Sequence, residues 1–194
     1  MDTLLSVCLG VGLSAACGFR VFVPLLVMSI ASLSGHLTLA HGFAWIGTYP
    51  ALISFSVATG LEIAGYYIPW LDHLLDTLAT PAAIVAGTIV SASMVTNMDP
   101  MMKWTLAVIA GGGAAGLVQT ATVAARTAST AATGGLANPL VSTMELAGSV
   151  TTSVAAIFAP ILVILVIAIF GFILGRKLFR KGGKVQPAEG AIGS

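Results

Sequence analysis

Charge is scarce in this sequence. Of 194 residues, 8 are Lys or Arg and 7 are Asp or Glu, leaving a formal net charge of +1. Soluble domains carry about 25% charged residues; here the share is 8%, too little to clothe a surface that faces water. A nucleic-acid partner, which needs a basic face, is excluded on the same ground. Cysteine is almost absent too. Cys8 and Cys17 fall in the first apolar run, where a disulfide would have to form inside a membrane span, and both read as packing residues. The chain has no P-loop, dinucleotide-binding fingerprint, zinc-protease motif or nucleophile elbow. Gly111-Gly112-Gly113 lies in an apolar run with no Lys-Ser/Thr after it, so it is no phosphate loop. Neither a cofactor nor enzymatic chemistry is expected.

Long hydrophobic runs are what the chain has instead. Hydrophobic residues make up 57% of it, gathered over about 3–33, 50–68, 79–97, 104–133, 139–155 and 157–175. At about 20 residues per crossing, these runs predict six transmembrane helices. Turn and capping residues separate them: Ser34-Gly35, Tyr49-Pro50, Pro69, Asn97-Met98-Asp99-Pro100, Gly134-Gly135 and Asn138-Pro139. The expected fold class is all-α, a polytopic membrane helical bundle. One membrane domain covers about 1–178, and a basic, disordered cytoplasmic tail covers about 179–194. Arg176, Lys177, Arg180, Lys181 and Lys184 concentrate basic charge at that end. The positive-inside rule therefore puts it in the cytoplasm, with anionic lipid in reach, and the expected location is a bacterial inner membrane. An even number of crossings puts Met1 on the same side. Leu13-Ser14-Ala15-Ala16-Cys17 loosely resembles a lipoprotein cleavage site, but Asp2 is the only early charge. Without a basic n-region the segment is expected to stay as a membrane helix.

The chain also repeats itself. An offset of 100 places Gly12, Ala15, Val23, Ser29, Ala31 and Gly35 on Gly112, Ala115, Val123, Ser129, Ala131 and Gly135. An offset of 83 places Thr59-Gly60-Leu61-Glu62-Ile63-Ala64-Gly65 on Ser142-Thr143-Met144-Glu145-Leu146-Ala147-Gly148, and an offset of 79 puts Pro81 on Pro160. The order of the blocks is kept, which predicts two three-helix units, about 1–98 and about 101–178. Three crossings per unit make the second copy enter from the opposite side, a 3+3 inverted-topology repeat of the kind found in secondary transporters. The first run of each unit is overlong: 31 residues make a helix of about 46 Å, against a hydrocarbon core of about 30 Å. Tilting or breaking is expected, near Gly10, Gly12, Gly18 and Pro24 in one copy and near Gly111 to Gly116 in the other. The same glycines also suit close helix packing.

Four charges fall within the predicted spans: Arg20, Glu62, Arg126 and Glu145. Each costs roughly 2.5–3.5 kcal/mol to insert at membrane depth, so they are expected to face inward and neutralise one another. Helical spacing puts Thr59, Glu62 and Tyr66 on one face, and Ser142, Glu145 and Ser149 on the matching one. Gln119, Thr122, Arg126, Thr130 and Thr133 form a further polar stripe, opposite apolar counterparts in the first copy. Two readings are open: a solute or proton path with the glutamates as acceptors and the arginines as counter-ions or anion contacts, or interhelical glue. Asp72, His73 and Asp76, after Pro69-Trp70, are weak metal candidates that read better as an interfacial helix start. His36 and His41 are not spaced as a ligand pair, and no metal is expected.

Leu13-Ser14-Ala15-Ala16-Cys17-Gly18-Phe19-Arg20 with Pro24, then Glu62, Pro69 and Asp72, together resemble the bacterial membrane family catalogued as domain of unknown function 4126. The likeness covers about residues 5–175. It implies a multi-helix membrane protein and leaves the activity open. The leading expectation for function is a small transporter or channel-like permease for a small solute or ion. A membrane scaffold that binds lipid, a second copy or a partner membrane protein is the first alternative. An interfacial lipid-processing enzyme using Asp72, His73 and Asp76 is the second.

Overall fold

A computed structural model describes the backbone of residues 3–182; the side chains of 69–74, 76, 170, 171, 173–175 and 177–182 lie outside the description. The candidates Asp72, His73 and Asp76 fall among these, and the tail expected over 179–194 lies largely beyond residue 182. The described residues form α1 (Thr3–Cys17), α2 (Phe22–Leu33), α3 (Tyr49–Gly65), α4 (Pro69–Met94), α5 (Pro100–Leu106), α6 (Gly113–Thr133), α7 (Asn138–Phe158) and α8 (Pro160–Gly182). A 3-10 helix, His41–Gly47, fills the first long connection, and a π-helical turn, Ala107–Gly112, joins α5 to α6. No strand occurs among the described residues.

Local chemistry explains most of the boundaries. The Thr48 hydroxyl accepts from the Ala51 amide at 3.4 Å ahead of Pro50. Asp99 accepts from the amides of Met101 and Met102 at 2.9 and 3.4 Å ahead of Pro100. Both pair a capping oxygen with a proline that has no N–H to satisfy. α6 ends on Gly134 at φ +63°, a left-handed residue that only glycine adopts freely. One boundary differs from the hydrophobic pattern. α4 begins at Pro69, some ten residues before the apolar run at 79 and at the helix start that Pro69-Trp70 and the acidic residues after it predict.

The bundle buries many small polar side chains beside an apolar core that includes Leu9, Leu13, Met28 and Ile46. Ser6, Ser14, Ser91, Ser93, Ser149 and Ser153 are buried, whereas Ile53, Val57 and Leu61 on α3 and Ile161, Leu165 and Ile169 on α8 are well exposed. Large apolar side chains exposed on the outer faces suit a lipid surround, and small residues inside let the helices associate through close backbone packing. Three stretches, Thr77–Met94, Pro100–Thr133 and Asn138–Phe158, are long and apolar enough to cross a membrane. The chain thus has the build of a membrane protein.

α1 lies at the centre, against α4, α6, α7 and α8. Its Ser14 hydroxyl shares its proton between the carbonyls of Gly10 and Gly87, at 2.7 and 2.6 Å. Gly111 presses on α4 at the same level: a Cβ there would stand 2.4 Å from the Ser91 Cβ and 2.8 Å from the Gly87 carbonyl oxygen. The π-helical turn around Gly111 makes this approach. The two overlong runs therefore differ. The first breaks between Cys17 and Phe22, and the second stays continuous through a widened turn.

Candidate functional site

The break in the first run organises the polar centre. α1 ends at Cys17 rather than running on, and Gly18 lies so close to α6 that a Cβ would stand 2.4 Å from the Ala115 carbonyl oxygen and 2.6 Å from the Val118 Cβ. The chain turns instead, and both broken ends need partners for their backbone groups. At the end of α1 the Ala16 carbonyl accepts from the amides of Phe19 and Arg20, at 3.1 and 3.2 Å, and from the Ser149 hydroxyl of α7 at 3.0 Å. At the start of α2, Glu62 of α3 takes the place of a cap: Oε1 accepts from the Val21 amide at 2.8 Å and Oε2 from the Phe22 amide at 3.1 Å. A carboxylate on a helix N-terminus is favoured by the hydrogen bonds and the dipole together. Pro24, at the third position of α2, has no N–H to satisfy.

Arg20 lies within the break and is almost completely buried. Its Nη2 donates to the Ser142 carbonyl at 3.0 Å and also to the Ser142 hydroxyl, and it stands 3.7 Å from Glu145 Oε2. Arg126 of α6 grips the same carboxylate in a fork. Nε donates to Oε1 at 2.9 Å and Nη2 donates to Oε2. Both guanidinium groups also stack on the Tyr66 ring, with the Arg20 Cζ 3.8 Å and the Arg126 Cζ 4.0 Å from its centroid. Cations stacked on an aromatic face are attracted by its quadrupole, so one ring and one carboxylate hold two positive charges together. Arg20 keeps two buried nitrogens, Nε and Nη1, whose N–H groups have no hydrogen-bond partner among the described residues.

Sequence spacing brings these residues to the right faces, but one expected pairing differs. Glu145 has arginine counter-ions; Glu62 has none within ion-pairing distance among the described residues and takes two backbone amides instead. The physical reason is the helix break. The start of α2 leaves two consecutive amides there free of intrahelical partners, and main-chain donors carry no mark in a sequence.

The family described as Domain of unknown function (DUF4126) matches residues 7–180. The chain belongs to this family. No curated protein and no solved structure matches it. The family description carries no activity, so a functional reading rests on what surrounds the cluster.

A cavity of about 500 Å³ opens between α2, α3 and α4 and is lined by Val21, Phe22, Ala58, Leu61, Glu62, Tyr66, Leu75, Leu78, Ala79 and Ala82. Apart from Glu62 and Tyr66, every described lining side chain is apolar. Leu61 and Leu78 are more than half exposed and form its rim. The other expected site residues are placed around it. Thr59 is buried one turn before Glu62, and its hydroxyl has no hydrogen-bond partner among the described residues. Gln119 and Thr122 are buried on α6 with Arg126, but the stripe then turns outward and Thr133 is exposed. Thr130 meets the Asn138 side chain at 3.1 Å. His36 is exposed beside Ser34, and no group of three metal-ligating side chains occurs among the described residues.

Proposed function

We propose that this chain is a small membrane permease in which Glu62 is the group that accepts a proton or small cation. Arg20, Tyr66, Arg126 and Glu145 form the fixed wall behind it. In this reading the chain crosses an inner membrane six times as a 3+3 inverted repeat, with both termini cytoplasmic. The order of elements supports the repeat: a long apolar segment, broken in the first copy and continuous through a π-helical turn in the second, then a helix carrying an inward carboxylate, then a final helix. A helix broken at a charged centre is the arrangement by which transporters build ion and solute sites from backbone groups.

The observation that carries the proposal is the state of Glu62. A carboxylate offers about four acceptor positions. Two are taken by the Val21 and Phe22 amides, and the side chain borders an open cavity. Glu145 lines none of the cavities described here and is held by two arginines. Recordings on a solid-supported membrane carrying the reconstituted chain test the reading. Steps of pH and of ethanolammonium should give transient currents that vanish in Glu62→Gln. Wild-type traces equal to those of protein-free membranes would overturn it and favour a scaffold.

A further inference from the structure

We infer that the cavity between α2, α3 and α4 is a binding site for a protonated primary or secondary amine carrying a short apolar chain. The ammonium sits on Glu62 and the chain lies along Ala58, Leu61, Leu78 and Ala82. The inference rests on the reading of Glu62 as the accepting group of this site and names the class of ligand it takes.

Charge and shape both favour this ligand. Among the described residues Glu62 is the one charged side chain lining the cavity, and Arg20 is not one of its lining residues. An anion entering there would meet a carboxylate before any arginine. The free acceptor positions of Glu62 require a ligand with N–H donors. A quaternary ammonium has none, and its usual aromatic seat is taken, since the Tyr66 ring already stacks on Arg20 and Arg126. Among the described residues the cavity offers one carboxylate in an apolar lining, where a strongly hydrated metal ion would need several oxygen ligands. At about 500 Å³ the cavity falls within the usual range of small-molecule sites, roughly 300–1,000 Å³. Its exposed rim of Leu61 and Leu78 lets an apolar chain enter sideways from lipid.

The test is calorimetric titration of octylammonium chloride into the full chain held in phosphatidylcholine nanodiscs, with empty discs as the blank. No lipid amine is then present to compete. Octyltrimethylammonium and octanoate serve as comparators. Saturable binding of octylammonium beyond the blank is expected, weakened roughly ten- to hundredfold in Glu62→Gln, the range for losing a hydrogen bond to a charged group. Ala58→Phe keeps the carboxylate and fills the cavity one turn above it, so it should also abolish binding. That variant decides the matter if Glu62→Gln does not fold. Binding unchanged in both variants, equal binding of octyltrimethylammonium, or no binding beyond the blank would overturn the inference. Binding without currents in the permease assay would leave the site standing and remove the permease; currents without binding would do the reverse.

Discussion

Glu62 and Glu145 occupy matching places in two similar heptapeptides, and both are buried, yet they are satisfied in opposite ways. Glu145 is enclosed by side-chain charge: a forked Arg126, a second arginine at 3.7 Å, and no remaining approach from the cavity. Glu62 is satisfied by the main chain, through two amides at the start of α2, and one side of it borders open space. A carboxylate locked by two arginines cannot release them without leaving uncompensated charge in a dry interior, which is expensive. One held by a helix N-terminus can take a further partner at little cost. Identical residues in equivalent segments can thus be divided between holding a bundle together and working in it.

The division can be broken experimentally, and the largest effect should come from the Glu145 side. Arg126→Ala removes the fork and one of the two cations stacked on Tyr66, and should cost about 3–5 kcal/mol, as for a buried pair that loses one partner. Thermal unfolding in detergent measures it. A loss no greater than that of Glu62→Gln would erase the contrast. Next comes Gly18→Ala, which tests whether the break itself supports both sites. Its Cβ would meet a carbonyl oxygen at 2.4 Å, and overpacking of this kind costs about 1–3 kcal/mol. An unchanged melting temperature would show that α1 and α6 can separate freely. Tyr66→Leu should cost about 1–2 kcal/mol for its two cation–π contacts, clearly less than Arg126→Ala. Smallest is Glu62→Gln. The amide keeps an acceptor for one α2 amide, and a stability loss of about 1 kcal/mol or less is expected, on the scale of a weakened helix cap.

Much of this was legible in the sequence because it depends on side chains at helical spacing. Thr59, Glu62 and Tyr66, and Ser142, Glu145 and Ser149, share buried faces as their i, i+3 and i+4 relations require. The caps at Asp99-Pro100 and Gly134 lie where those residue types put them. Gly18 was one of several glycines that could have marked the break. Composition alone could not choose it, because the choice depends on the Ala115 carbonyl that α6 brings against it. The π-helical turn at Ala107–Gly112 was hidden for the same reason: its cause is the fit of Gly111 against Ser91 and Gly87 on another helix. The partners of Glu62 were the least visible feature. Backbone amides are the same at every residue, and only a helix end makes two of them available.

The most direct test of the divided roles places Glu62→Gln and Glu145→Gln side by side, with thermal stability and cation-driven current per folded molecule recorded for each. The account predicts that Glu62→Gln melts near the wild-type temperature and carries no current, while Glu145→Gln melts well below it and retains the current of every molecule that remains folded. Equal losses of current in the two variants, or a larger stability loss in Glu62→Gln, would contradict it.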